Sequence, residues 1–148
     1  MNRHRMSQYD VAVVGTGPDP NDPTLDGFAM GYRHAEGYES DERFAVAACA
    51  DIVPENAAAF AATFGVPDDA VFEDYAAMLD AVEPDVVSVA VPPAVHERVV
   101  VDCARHDAVG AVHCEKPIAD TWDAARRMVE TAWRYDTQLT FNRQRRFA

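Results

Sequence analysis

Four apolar runs in this chain lack the alternation that marks a strand with one wet face. They are Tyr9 to Val14, Phe44 to Ala50, Asp85 to Val91 and Val109 to Cys114. Successive side chains of a strand point to opposite faces, so runs like these must be covered on both sides, as in parallel sheets. The third run stops at Pro92-Pro93, which cannot donate to a ladder. Gln138 to Asn142 reads as a fifth strand, and Ala70 to Phe72 as a short extra one. Strands alternating with helical stretches predict an α/β fold: a doubly wound parallel sheet in a single domain over residues 1–148.

The helical stretches are marked by their ends and their periodicity. Pro54 to Phe64 opens on proline and is followed by Gly65. Tyr75 to Ala81 and His96 to His106 follow. The segment up to Tyr135 is expected to be capped by Asp120, with Trp122, Ala125, Met128, Val129, Ala132 and Trp133 at helical spacing. Pro18 to Asp26, with three prolines and three aspartates, is a loop.

Composition narrows the function. The chain has 25 acidic residues against 13 basic and a net charge of −12, spread along its length. Phosphate affinity comes mainly from Lys and Arg, so nucleic-acid binding is disfavoured. Acid-rich, lysine-poor composition suggests a salt-adapted, haloarchaeal type of cytoplasm, where screening relieves the self-repulsion. Cys49, Cys103 and Cys114 form no CxxC pair and read as reduced, mostly buried thiols. No run approaches the roughly 20 apolar residues of a membrane helix, so a soluble cytoplasmic protein is expected. His34, His106 and His113 have no acidic or cysteine partner at ligand spacing, so no metal is expected.

Chemistry gathers at the predicted strand ends. Gly15-Thr16-Gly17 follows the first strand, where glycines permit a tight turn and close approach of backbone to a pyrophosphate. The next glycine suited to close helix packing is Gly31, beyond the Pro/Asp loop. Asp51 ends the second strand, where a carboxylate accepts from the adenosine ribose of NAD and repels the extra phosphate of NADP. A helix-capping role ahead of Pro54 is the alternative for Asp51. Pro92 and His96 follow the third apolar run, at the sheet edge where such folds bind ligands. Lys116, in Glu115-Lys116-Pro117, is the single lysine among 13 cationic side chains. A lysine kept where arginine is otherwise universal suits a compact proton donor. Lys116-Pro117 is also a candidate cis bond.

In this order, Gly15-x-Gly17, Gly31-x-x-His34-Ala35, Asp51, Pro92-Pro93-x-x-His96 and Glu115-Lys116-Pro117 resemble the Gfo/Idh/MocA oxidoreductases. Asn142-Arg143 is similar to the stretch that closes the last Rossmann strand in that family. The resemblance covers nearly the whole chain. It implies an NAD(P)-binding Rossmann domain with strand order 3-2-1-4-5-6. It implies hydride transfer to or from a sugar, polyol or related hydroxyl compound. It also implies that Gly15, Gly17, Gly31, Asp51, Pro92, His96, Glu115 and Lys116 form the cofactor site. There Glu115 would lie near the nicotinamide ribose, with Lys116 as the catalytic group near nicotinamide and substrate.

Two departures qualify that expectation. The Pro18 to Asp26 loop lengthens the phosphate turn and brings carboxylates near the expected pyrophosphate. Members of the family continue into an α/β domain that supplies substrate contacts and an oligomer interface, whereas this chain ends at Ala148. The expectation is therefore the nucleotide-binding half of an NAD-dependent enzyme, with homo-oligomer assembly open. The alternative is a stand-alone, non-catalytic Rossmann module that senses nucleotide or serves a partner.

Overall fold

Six strands, all parallel, run side by side in the order β3-β2-β1-β4-β5-β6. They are β1 (Tyr9–Val14), β2 (Phe44–Ala50), β3 (Val71–Phe72), β4 (Val86–Val89), β5 (Ala111–Cys114) and β6 (Gln138–Phe141). The helices between them are α1 (Met30–Glu39), α2 (Pro54–Phe64), α3 (Tyr75–Val82), α4 (His96–Arg105) and α5 (Trp122–Arg134). This computed structural model describes residues 7–27 and 29–143.

The unbroken apolar runs behave as their composition demands. Val11, Ala12 and Val13 are fully buried on consecutive positions, as are Ala48 and Cys49. Both faces of the central strands are therefore dry, the condition for burying a parallel ladder. Phe60 of α2 and Met78 of α3 are fully buried in the same core, and Tyr32 of α1 meets the Phe60 ring edge-on at 5.2 Å.

Several ends differ from the sequence reading. Asp85 stands just outside β4, where its carboxylate accepts the backbone N–H of Asp10 at 2.8 Å. Val109 stands outside β5 because its N–H closes a turn onto the His106 carbonyl. The N-cap of α5 is Thr121, not Asp120: its hydroxyl accepts the Ala124 N–H at 3.1 Å. The stripe that α5 buries is Ala124, Met128 and Ala132, while Trp122 and Trp133 are 80% and 86% exposed. Alanines above and below the larger Met128 form the face of α5 that is buried where it packs on α4.

Register sets the site. Val14 pairs with both Ala50 and Val89, Ala50 with Phe72, Val89 with Cys114, and Cys114 with Phe141. The C-terminal ends of all six strands are thus level. The order reverses between β1 and β4, whose neighbouring helices leave a crevice at that edge.

Candidate functional site

The residue that follows each level strand end reaches the same edge. Gly15 follows β1, Asp51 follows β2, Ala90 follows β4, Glu115 follows β5 and Asn142 follows β6. A cavity of about 1110 Å³ opens there, walled by Gly15, Gly17, Asp51, Pro92, Glu115 and Lys116 among others.

The glycine turn is built for close approach. Gly15 and Gly17 have φ of +84° and +70°, which L side chains rarely adopt. The Gly15 N–H donates to the Ala50 carbonyl at 2.9 Å and the Ala90 N–H to that of Val14 at 2.8 Å, so the turn is clamped by both neighbouring strands. Gly31 does not wall the cavity but supports it from below. A Cβ there would meet the Gly15 carbonyl oxygen at 2.7 Å.

Asp51 ties its own strand end to this turn. One carboxylate oxygen accepts from the Gly17 N–H and the Thr16 hydroxyl, each at 3.1 Å. The other accepts the Val53 N–H at 2.9 Å. The N-cap of α2 is Val53, with no side-chain cap, so the helix-capping reading of Asp51 does not hold. A carboxylate offers about four lone-pair sites, so acceptor capacity remains on the cavity side.

The Pro18 to Asp26 loop does not line this cavity. Two of its three carboxylates turn onto the loop itself. Asp19 accepts the Asn21 N–H, and Asp22 accepts both the N–H and the hydroxyl of Thr24. The Thr24 hydroxyl and N–H hold the Asp22 carboxyl below its ordinary value.

His96 departs from its expected place. Its side chain is fully buried and is not part of the cavity wall. Its Nδ1 faces the carbonyls of Pro117 and Ile118 at 2.9 and 3.3 Å, and its Nε2 faces that of Val91 at 2.9 Å. It links the loop after β4 to the loop after β5, and so braces the Lys116 segment. Lys116 is exposed at the cavity rim, and its bond to Pro117 is cis.

Glu115 is the most elaborated group. It is buried, and its Oε1 accepts from Asn142 Nδ2 and from His34 Nε2, both at 2.6 Å. Burial acts to raise its pKa, but the hydrogen bonds from Asn142 and His34 outweigh it, and the carboxyl sits below its ordinary value. Ser88, in β4, completes the set at 2.6 Å from His34 Nδ1. The sequence reading had no role for Ser88. The available signal was a lone hydroxyl in an otherwise apolar buried strand.

Among the described residues, no group of three or more His, Cys, Asp or Glu side chains is arranged to hold a metal. No described helix is long and apolar enough to cross a membrane.

Comparisons with known proteins match this geometry. A family model described as an oxidoreductase family with an NAD-binding Rossmann fold matches residues 9–143. Inositol 2-dehydrogenase of Rubrobacter xylanophilus is 34% identical over 121 residues, covering 81% of this chain and 30% of that protein. D-glucoside 3-dehydrogenase of Escherichia coli is 35% identical over 118 residues, covering 78% of this chain and 32% of that one. The chain thus spans about a third of the length of these curated relatives. The WlbA dehydrogenase of Bordetella pertussis, solved with NADH and UDP-GlcNAcA, superimposes with a TM-score of 0.80 at 22% identity. That match covers 94% of this chain and 38% of WlbA, and it establishes the shared fold. With the family match running from β1 through Arg143, this chain belongs to the Gfo/Idh/MocA oxidoreductases and carries their NAD-binding Rossmann domain.

Proposed function

We propose that the chain is the cofactor-holding part of an NAD-dependent oxidoreductase acting on the CH–OH group of a sugar, polyol or related compound. One observation carries this reading. The glycine turn, the strand-end carboxylate of Asp51 and the Glu115-Lys116 pair converge on one cavity at the point where strand order reverses. The residues fit the dinucleotide. Gly15 and Gly17 present backbone without side chains, where a pyrophosphate needs close approach. Asp51 stands where the adenosine ribose hydroxyls would donate. Pro92 and Glu115 border the other end, where the nicotinamide riboside would lie.

NAD, when bound, supplies the hydride-accepting ring, and the protein orients it. Lys116 would meet the substrate oxygen from the rim and hold the proton that oxygen gains or loses. The two curated relatives are dehydrogenases of inositol and of a glucoside, which favours the enzyme over the stand-alone module. Substrate contacts and assembly as a homo-oligomer would come from the part of such enzymes that this chain does not span.

Titration calorimetry in molar potassium chloride tests the reading. NAD should bind more tightly than NADP, and Asp51→Ala should shrink the difference. Absence of NAD binding would remove the function, and equal affinity for the two cofactors would remove Asp51 from the ribose role.

A further inference from the structure

The cofactor cavity has a second cavity behind it, of about 900 Å³, walled by His34, His113, Asn142 and Tyr38 among others. Glu115 walls the first, His34 and Asn142 wall the second, and Met30 lines both. The side chains of His34 and Glu115 are only 4% and 8% exposed. A buried carboxylate of this kind is costly unless donors are aimed at it.

The donors are distributed unevenly. His34 Nε2 and Asn142 Nδ2 both donate to Oε1, each at 2.6 Å. Among the described residues, Oε2 receives only the Lys116 backbone N–H, at 3.3 Å. An ionised carboxylate can only accept, so Nε2 of His34 carries a hydrogen. In the neutral ring Nδ1 is then free to accept the Ser88 hydroxyl at 2.6 Å. Ser88 has no exposed surface. In that ring form the bonds run in one direction, Ser88 donating to His34 and His34 to Glu115.

We propose that His34 and Asn142 are positioning residues that clamp Oε1 of Glu115 and hold Oε2 as the acceptor for a hydroxyl or amide donor at the nicotinamide end of the cofactor. The proposal rests on NAD occupying the cavity lined by Gly15, Asp51 and Glu115. It gives a role to the histidine of α1, which walls the second cavity and not the cofactor cavity. It also explains why the carboxyl stays ionised although burial opposes it. Without the clamp, only the Lys116 N–H would oppose burial, and Glu115 would take up a proton at a higher pH than in the unaltered chain.

NAD titrations from pH 5 to pH 8 on the 148-residue chain provide the test. The unaltered chain should bind NAD with level affinity over this range. Glu115→Gln and His34→Leu should each weaken NAD about tenfold at neutral pH, the scale of one hydrogen bond to a charged group. His34→Leu should weaken further toward pH 5, as its carboxylate becomes protonated. His34→Gln, which restores an N–H donor, should recover most of the affinity and the level profile. A structural role for the imidazole would give no such pH signature. If His34→Leu does not fold, Asn142→Leu, at the open end of β6, is read by the same profile. Unchanged, pH-level binding in the foldable leucine variant overturns the clamp, as does a His34→Gln variant no better than His34→Leu. Failure of the unaltered chain to bind NAD overturns the functional reading itself, which keeps the two failures distinct.

Discussion

Gly31 lies directly beneath Gly15, so close that a Cβ on Gly31 would come within 2.7 Å of the Gly15 carbonyl oxygen. The first turn of α1 is thereby pressed against the cofactor turn with nothing between them. Thr16 Cα and its carbonyl oxygen would be 3.0 Å away from the same Cβ. All three atoms are backbone and cannot swing aside. Gly31→Ala should therefore destabilise the fold by about 1–3 kcal/mol, the scale of overpacking. Gly37, in the same helix, has open space where its Cβ would go. Gly37→Ala should stabilise by about 0.5–1 kcal/mol, through helix propensity alone. Urea unfolding curves of the two variants should move in opposite directions. Equal behaviour would mean that the close contact at Gly31 carries no energetic weight.

Lys116 should not tolerate arginine. The guanidinium is broader, stays charged and cannot release a proton. In a complete enzyme with a second domain joined on, Lys116→Arg and Lys116→Met should each lower kcat by about 10²-fold or more. NAD affinity should change far less, because Lys116 stands at the cavity rim while the turn and Asp51 lie deeper along the edge. The 148 residues alone should bind cofactor without turnover, since they span only about a third of the curated dehydrogenases they match. Wild-type kinetics in Lys116→Arg would end the catalytic assignment.

The three cysteines should be silent in the native fold. Cys49, Cys103 and Cys114 are free and fully buried. Burial, then the nearby Asp51 charge, pushes the Cys49 thiol up to about 12. Burial, then Glu115, does the same for Cys114, again to about 12, and Cys103 is raised chiefly by burial. The thiolate is the reactive form, so a disulfide thiol reagent should modify none of them at neutral pH until denaturant is added. All three should then react. Fast labelling of the folded chain would show that the core opens readily.

Salt should stabilise the chain. At a net charge of −12, surface carboxylates repel one another, and at 1 M salt the Debye length falls to about 3 Å. Thermal midpoints should climb from dilute buffer into molar potassium chloride. A flat response would count against salt adaptation.

The sequence by itself determined which segments become strands and which ends carry chemistry. Val11 to Val14 and Val86 to Val89 are apolar at every position but Ser88, and a strand of that kind has no choice but a two-sided cover. Glycine after β1, aspartate after β2 and Glu-Lys-Pro after β5 were legible because turns, ribose contacts and proton donors each demand a residue type. The tertiary structure alone decided which of those residues face the cavity. His96 stood at a strand end like the others, yet packing turned its ring into the protein, onto the carbonyls of Val91 and Pro117. Period alone could not say which stripe of α5 is buried, because that depends on how near α4 lies, and Ala124, Met128 and Ala132 won over the tryptophans. The Ser88–His34–Glu115–Asn142 set was beyond sequence reasoning for the same reason. Its members come from β4, α1 and the ends of β5 and β6, and only the level register of the parallel strands brings them within 2.6 Å of one another along the chain of bonds.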